Sequence, residues 1–193
     1  ASDGECDGAK ASTIAGVAVP NGGYDQNGGS PVPDGDPDIL ENNVPDFISD
    51  LSLDWAGILN GDLVTPDYSI PSDPWPSIAS DEWPVVQVAG DISLNPSSSG
   101  QGTLIVEGSL TMNGSWRWDG IVLVGDSFTS NGKNTIDGTI MAGLNVMLGQ
   151  TPPDSDLGNG TKSYSYHSCN VLWAMQSAFG ALHEVPGTWT ESM

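Results

Sequence analysis

Between Val85 and Gly149 apolar side chains return every six residues: Val86, Ile92, Leu104, Leu110, Trp116, Val122, Phe128, Ile140 and Val146. Ser98 and Asn134 are the two polar breaks in that beat. A longer period lies over it. Gly102, Gly120 and Gly138 are spaced by 18, Gly90, Gly108, Gly125 and Gly143 by 18, 17 and 18, and Asn113-Gly114 returns as Asn131-Gly132. An 18-residue period with three six-residue faces describes a coil of three short strands and three corners. One such coil cannot bury its own inner side chains, so stacked neighbours supply the core and the ladder hydrogen bonds run between coils. Glycine and Asn-Gly at the corners supply the positive φ of tight turns. Asn-Gly also marks β-hairpins, but a meander has no reason to hold an 18-residue register through three repeats. The pattern therefore predicts a mainly β fold, a β-solenoid (parallel β-helix) with 18-residue coils.

Around this block the pattern changes. Residues 1–38 read as an extended arm rich in Gly, Pro, Asp and Asn, with a short apolar strand from Thr13 to Val19 that ends at Pro20. In residues 39–84, Phe47, Ile48, Leu51, Trp55, Ile58 and Leu59 recur at helical spacing between Pro45 and Gly61, which predicts a helix near 45–59 followed by a Pro-rich connection. Residues 85–150 carry the repeats, which the pattern ends at Gly149. Residues 151–193 read as a loop, a strand-like run through Tyr164 and Tyr166, a helix opening at Ser168 with Val171, Leu172, Met175, Ala178 and Phe179 on one face, and a tail. Solenoid ends expose apolar side chains and unpaired edges, so the two helices are expected to cap them.

Charge narrows the partners. Twenty-five acidic residues face four basic ones, a net charge of -21. Four scattered cations make neither a phosphate-binding face nor a surface for an anionic leaflet, which excludes nucleic acid and peripheral binding to acidic lipid. No apolar stretch is long enough to span a bilayer. Only Asp91, Glu107, Asp119, Asp126 and Asp137 of the acidic residues fall within 85–150, so the acidity belongs to the arms around a lightly charged rod. High acidity, few lysines and a polar start at Ala1 suit an exported, processed chain on the cell surface. Cys6 and Cys169 then read as either two separate thiols or one disulfide joining the two ends of the chain; an oxidising compartment favours the disulfide.

Several residues are candidates for chemistry. Asp119 and Asp137 stand one coil apart, about 4.8 Å in a solenoid; such a pair acts on a sugar, holds a cation, or sits at a solvated corner. Asp34, Asp36 and Asp38 have the alternate carboxylates of a calcium-loop start but lack its Gly and Glu, so the readings are a Ca2+ site outside the EF-hand pattern or an acidic loop. Trp116 and Trp118 flank Arg117 in alternation; Trp116 lies on the six-residue beat, while Trp118 is either a platform for a sugar or packing. Pectin-degrading β-helices carry a Gly-His-Gly and an Arg-x-Lys that this chain lacks, which weakens the enzyme reading.

The run from Gly102 to Gly125, Ser127-Phe-Thr-Ser-Asn-Gly132 and Tyr166-His-Ser-Cys-Asn170 resembles the C-terminal region of bacterial PilX-like, pilus-assembly-associated proteins. Its repeats are also similar to bactofilins, β-solenoid proteins that polymerise. The resemblance covers roughly the C-terminal half and implies an exported, non-catalytic structural part of a surface filament or pilus-associated appendage. Its partners would be further copies of itself or pilus components. Self-association would use stacked ends, or insertion of the strand containing Thr13, Ile14, Val17 and Val19 into a neighbour's sheet edge. A carbohydrate-binding module, resting on Trp118, Trp75 and Trp83, is the second expectation, and a β-helix enzyme acting on polysaccharide the third.

Overall fold

The computed structural model describes residues 17–20, 24–25, 39–42, 53–151, 155–156 and 161–179. Its body is a parallel β-solenoid of about four turns. Six strands, in the order β13 (Lys162–Ser165), β11 (Asn134–Met141), β9 (Arg117–Val124), β7 (Gly100–Val106), β5 (Val85–Val88) and β4 (Tyr68–Ile70), form one sheet. β7, β9 and β11 each pass through a glycine with positive φ, at Gly102, Gly120 and Gly138, so this sheet wraps two faces of the coil. The third face is a five-stranded sheet of β2 (Tyr24–Asp25), β12 (Ser155–Asp156), β10 (Phe128–Gly132), β8 (Leu110–Gly114) and β6 (Ile92–Leu94). The 18-residue register holds from strand to strand: Val86 pairs with Leu104, Leu104 with Val122, Val122 with Ile140, and Leu110 with Phe128.

The six-residue beat is the lining of the rod. Val86, Leu104, Leu110, Trp116, Val122 and Phe128 are buried in one continuous core, and each fully buried aliphatic side chain contributes about 1.5–3 kcal/mol. The two polar breaks point inward as well. Ser98, Trp116 and Asn134 occupy one column at 18-residue intervals: the indole Nε1 of Trp116 donates to the Ser98 carbonyl at 3.0 Å, and its backbone N–H donates to Asn134 Oδ1 at 3.2 Å. Asn134 Nδ2 donates in turn to Ser130 Oγ and the Asn131 carbonyl, both at 2.9 Å. A polar side chain can sit in this core because its hydrogen bonds are met inside it.

The repeat begins one coil before Val85 and outlasts Gly149. Tyr68 pairs with Val86, again 18 residues on, and β13 pairs with β11 through Asn134 and Lys162, a 28-residue step that absorbs a loop. The early coil carries none of the corner glycines that mark the others, so its sequence reads only as Pro-rich connection.

Among the described residues two helices flank the rod: α1 (Trp55–Leu59) and α2 (Ser168–Phe179). They pack against its side, not over its ends. Val85, Ile105, Ile121 and Leu123 face outward from the sheet and are buried under Trp55, Ile58, Val64, Leu144 and Ala174. Strands covered on both faces read as unbroken apolar runs, as Leu104-Ile-Val106 and Ile121-Val-Leu-Val124 do. α1 is capped by Asp54, whose side chain accepts from Gly57 N–H at 2.9 Å, and is stapled to the last turn by a bond from Trp55 Nε1 to Asn145 Oδ1 at 2.8 Å. The helix predicted near 45–59 is thus present from Trp55; residues 43–52 lie outside the described residues.

Other parts of the chain lie at the ends. At the first end the 71–80 segment folds over the opening, with Trp75 edge-on to Trp118 at a centroid distance of 6.4 Å and Ile78 against the core. At the far end the N-terminal segment returns. β2 extends the five-stranded sheet beyond β12, and β1 (Val17–Pro20) pairs in parallel with β3 (Ile39–Asn42) and lies against β11. The chain's beginning is therefore stacked on the coil that closes its repeats.

Candidate functional site

Asp119 and Asp137 are register partners on adjacent coils, as the spacing requires. Arg117, half exposed, lies between them: its Nη2 is 2.8 Å from Asp119 Oδ1 and 3.2 Å from Asp137 Oδ2. Ser165 Oγ donates to the other Asp137 oxygen at 2.8 Å, and Asn170 Nδ2 donates to the Asp137 carbonyl at 2.8 Å, tying α2 to the same corner. The guanidinium occupies the place a shared proton or a cation would take. Like charges stacked at strand spacing repel, and the geometry answers that repulsion with an ion pair. Among the described residues no group of three or more His, Cys, Asp or Glu is placed to hold a metal ion.

Trp118 is not a ligand platform. It is fully buried and stacks on Trp116 with centroids 5.8 Å apart and ring planes 7° from parallel, its Nε1 donating to the Gly102 carbonyl at 3.1 Å. The alternation that turns Arg117 outward turns both tryptophans inward, and the interior of a coil is wide enough for two stacked indoles. Trp75 closes the first end against them. Trp173, on α2, carries no signal in the sequence and meets Trp83 at a centroid distance of 5.1 Å. Neither the beat nor any spacing links those two residues.

The remaining candidates fall on the arms. Val17 and Val19 lie on β1, paired with Ile39 and Glu41 of the same chain. Thr13, Ile14, Cys6 and the Asp34, Asp36 and Asp38 loop lie outside the described residues. Cys169 is buried at the start of α2, which places one end of the expected disulfide inside the fold. No helix among the described residues is long and apolar enough to cross a membrane. No protein-family model matches the chain, nor does any curated protein or solved structure.

Proposed function

We propose that this protein is a non-enzymatic structural module of the bacterial cell surface, a self-associating subunit of a filament or of a pilus-associated appendage. The observation that carries the reading is the placing of the N-terminal strand β2 at the far end of the five-stranded sheet, where it pairs with β12, with β1 packed against β11 beside it. A segment that completes the end of its own solenoid can complete that of a neighbour by the same backbone hydrogen bonds, which is strand exchange. The resemblance of Gly102–Gly125 to PilX-like and bactofilin-like repeats agrees with this role, and so does the ion-paired state of Asp119 and Asp137, which argues for structure over catalysis. Electron microscopy of the purified chain tests it. Filaments are expected from the full chain, and folded monomers from a chain lacking residues 1–25. Dispersed single particles from the full chain at every concentration sink the proposal; filaments that survive the truncation sink strand exchange as the contact.

A further inference from the structure

An open cleft of about 450 Å³ runs between the end of the 71–84 segment and α2, lined by Ser80, Asp81, Trp83, Trp173, Gln176 and Ser177. Its floor is a pair of half-buried indoles inclined at 56° to one another. A surface of this kind, aromatic at its centre and edged by groups that both donate and accept hydrogen bonds, has the make-up of a small-molecule site.

The cleft is held in shape before any ligand arrives. Ala79–Glu82 forms a tight turn closed by Glu82 N–H to the Ala79 carbonyl at 3.1 Å, with the Glu82 carboxylate accepting from Ala79 N–H at 3.2 Å. Gln101, one coil below Asp119, donates its side-chain amide to the Ser80 and Glu82 carbonyls at 2.9 and 2.8 Å. Trp83-Pro84 then lies directly on Gly102, where a Cβ would stand 2.2 Å from the Pro84 carbonyl oxygen. The opposite wall is fixed to the same strand, because Thr103 N–H donates to the Pro84 carbonyl at 3.0 Å and Thr103 Oγ1 to the Ala174 carbonyl at 3.3 Å. Both indoles are therefore positioned by Gly102 and Thr103. Preorganised walls lower the cost of ordering that weak binding sites otherwise bear.

We propose that this cleft binds an uncharged saccharide. The C–H face of a pyranose ring packs on an indole, while Asp81, Gln176, Ser80 and Ser177 offer the carboxylate, amide and hydroxyl groups that pair with sugar hydroxyls. The charge decides among ligands. No basic side chain lines the cleft, and the net charge of -21 repels phosphates, uronates and sulfated glycans. A bare cation is the weaker fit, because the polar rim is mostly uncharged and the two rings lean on each other instead of enclosing a space. The site stands independently of whether the chain polymerises.

Titration of the full chain, followed by calorimetry and by the indole N–H signals in NMR, tests the site. The probes are the neutral hexasaccharides of β-1,4-linked glucose, mannose, xylose and N-acetylglucosamine, with polygalacturonate and tetramethylammonium for comparison. At least one neutral probe is expected to bind and to shift the Trp83 and Trp173 signals, with Trp173→Ala weakening it by about tenfold or more. Should Trp173→Ala loosen α2, the exposed Gln176→Ala and Asp81→Asn serve in its place, each weakening binding measurably while the melting curve stays put. No response to any neutral probe at millimolar concentration overturns the proposal. So does binding that all three variants leave intact, or a response confined to tetramethylammonium or polygalacturonate.

Discussion

Asp73 takes up both outward-facing backbone groups of Ser69: its carboxylate accepts from Ser69 N–H at 2.8 Å, and its own N–H donates to the Ser69 carbonyl at 2.7 Å. Ser69 is the middle residue of β4, the outermost strand of the six-stranded sheet. In a parallel ladder the middle residue of such a strand turns its N–H and C=O away from its neighbour, which is the template that adds another strand. One aspartate closes it. Asp73→Ala should therefore leave the fold intact at a cost of about 1 kcal/mol while opening the first end of the rod. Sedimentation across a concentration series should show association that the parent lacks in the same buffer once residues 1–25 are removed from both. Equal sedimentation of the two would mean that the edge is closed by other means.

Asn145 joins three parts of the fold. It accepts from Trp55 Nε1 at 2.8 Å and donates to the Glu107 carbonyl at 3.0 Å and to Asp126 Oδ1 at 2.8 Å. Asn145→Ala removes all three bonds and leaves a buried indole N–H without its acceptor. A loss of about 2–4 kcal/mol is expected, read from urea unfolding with the slope unchanged. A loss below about 0.5 kcal/mol would show that water replaces the side chain.

Two glycines with positive φ separate a steric requirement from a conformational one. At Gly120 an added Cβ would lie 2.3 Å from the Gly102 carbonyl oxygen, whereas at Gly90 it would meet nothing within 4 Å. Gly90→Ala should cost about 1 kcal/mol, the penalty of left-handed backbone alone. Gly120→Ala forces adjacent coils apart and should cost at least about 3 kcal/mol. Equal melting temperatures for the two variants would refute the stacking described for this corner.

The ion-paired corner predicts a salt-dependent response. Arg117→Ala leaves Asp119 and Asp137 facing each other, and because the site is partly exposed the cost should be about 1 kcal/mol or less, smaller at high ionic strength. Adding Asp119→Asn and Asp137→Asn should restore the parent stability. If the triple variant is no more stable than Arg117→Ala, repulsion between the carboxylates is not what Arg117 answers.

A disulfide between Cys6 and Cys169, the pairing an oxidising compartment would favour, would leave the chain, denatured without reductant, no thiol for alkylation, and reduction would expose two. Replacing Cys6 by Ser should then lower stability by about 4–5 kcal/mol, the chain-entropy value for a loop of this length. Alkylation of both cysteines before reduction would remove the disulfide from the account.

Much of this architecture is legible in the chain. The coil length, the three faces and the inward positions all follow from the beat through Val86, Leu104, Trp116 and Val122, and the breaks at Ser98 and Asn134 prove to be inward positions too. Two features carry no such plain mark in the chain. The coil through Tyr68 keeps the period but lacks corner glycines. The flanking helices were expected at the ends, although the unbroken run Ile121-Val-Leu-Val124 already implied a sheet buried on both sides.

Trp118 shows where that reasoning stops: alternation settles that it faces away from Arg117, and only the packed coil shows that this direction is the core. The period and the inside of the rod are written in the chain, because stacked coils must repeat the same residue types at the same spacing to keep their ladders in register. What covers the rod depends on long-range packing. Trp55 and Asn145 meet across 90 residues, Trp83 meets Trp173, and the N-terminal strands return to the far end. Contacts of that kind obey no sequence period, since each depends on where a non-repeating segment finds apolar surface or an open strand edge left by the repeat.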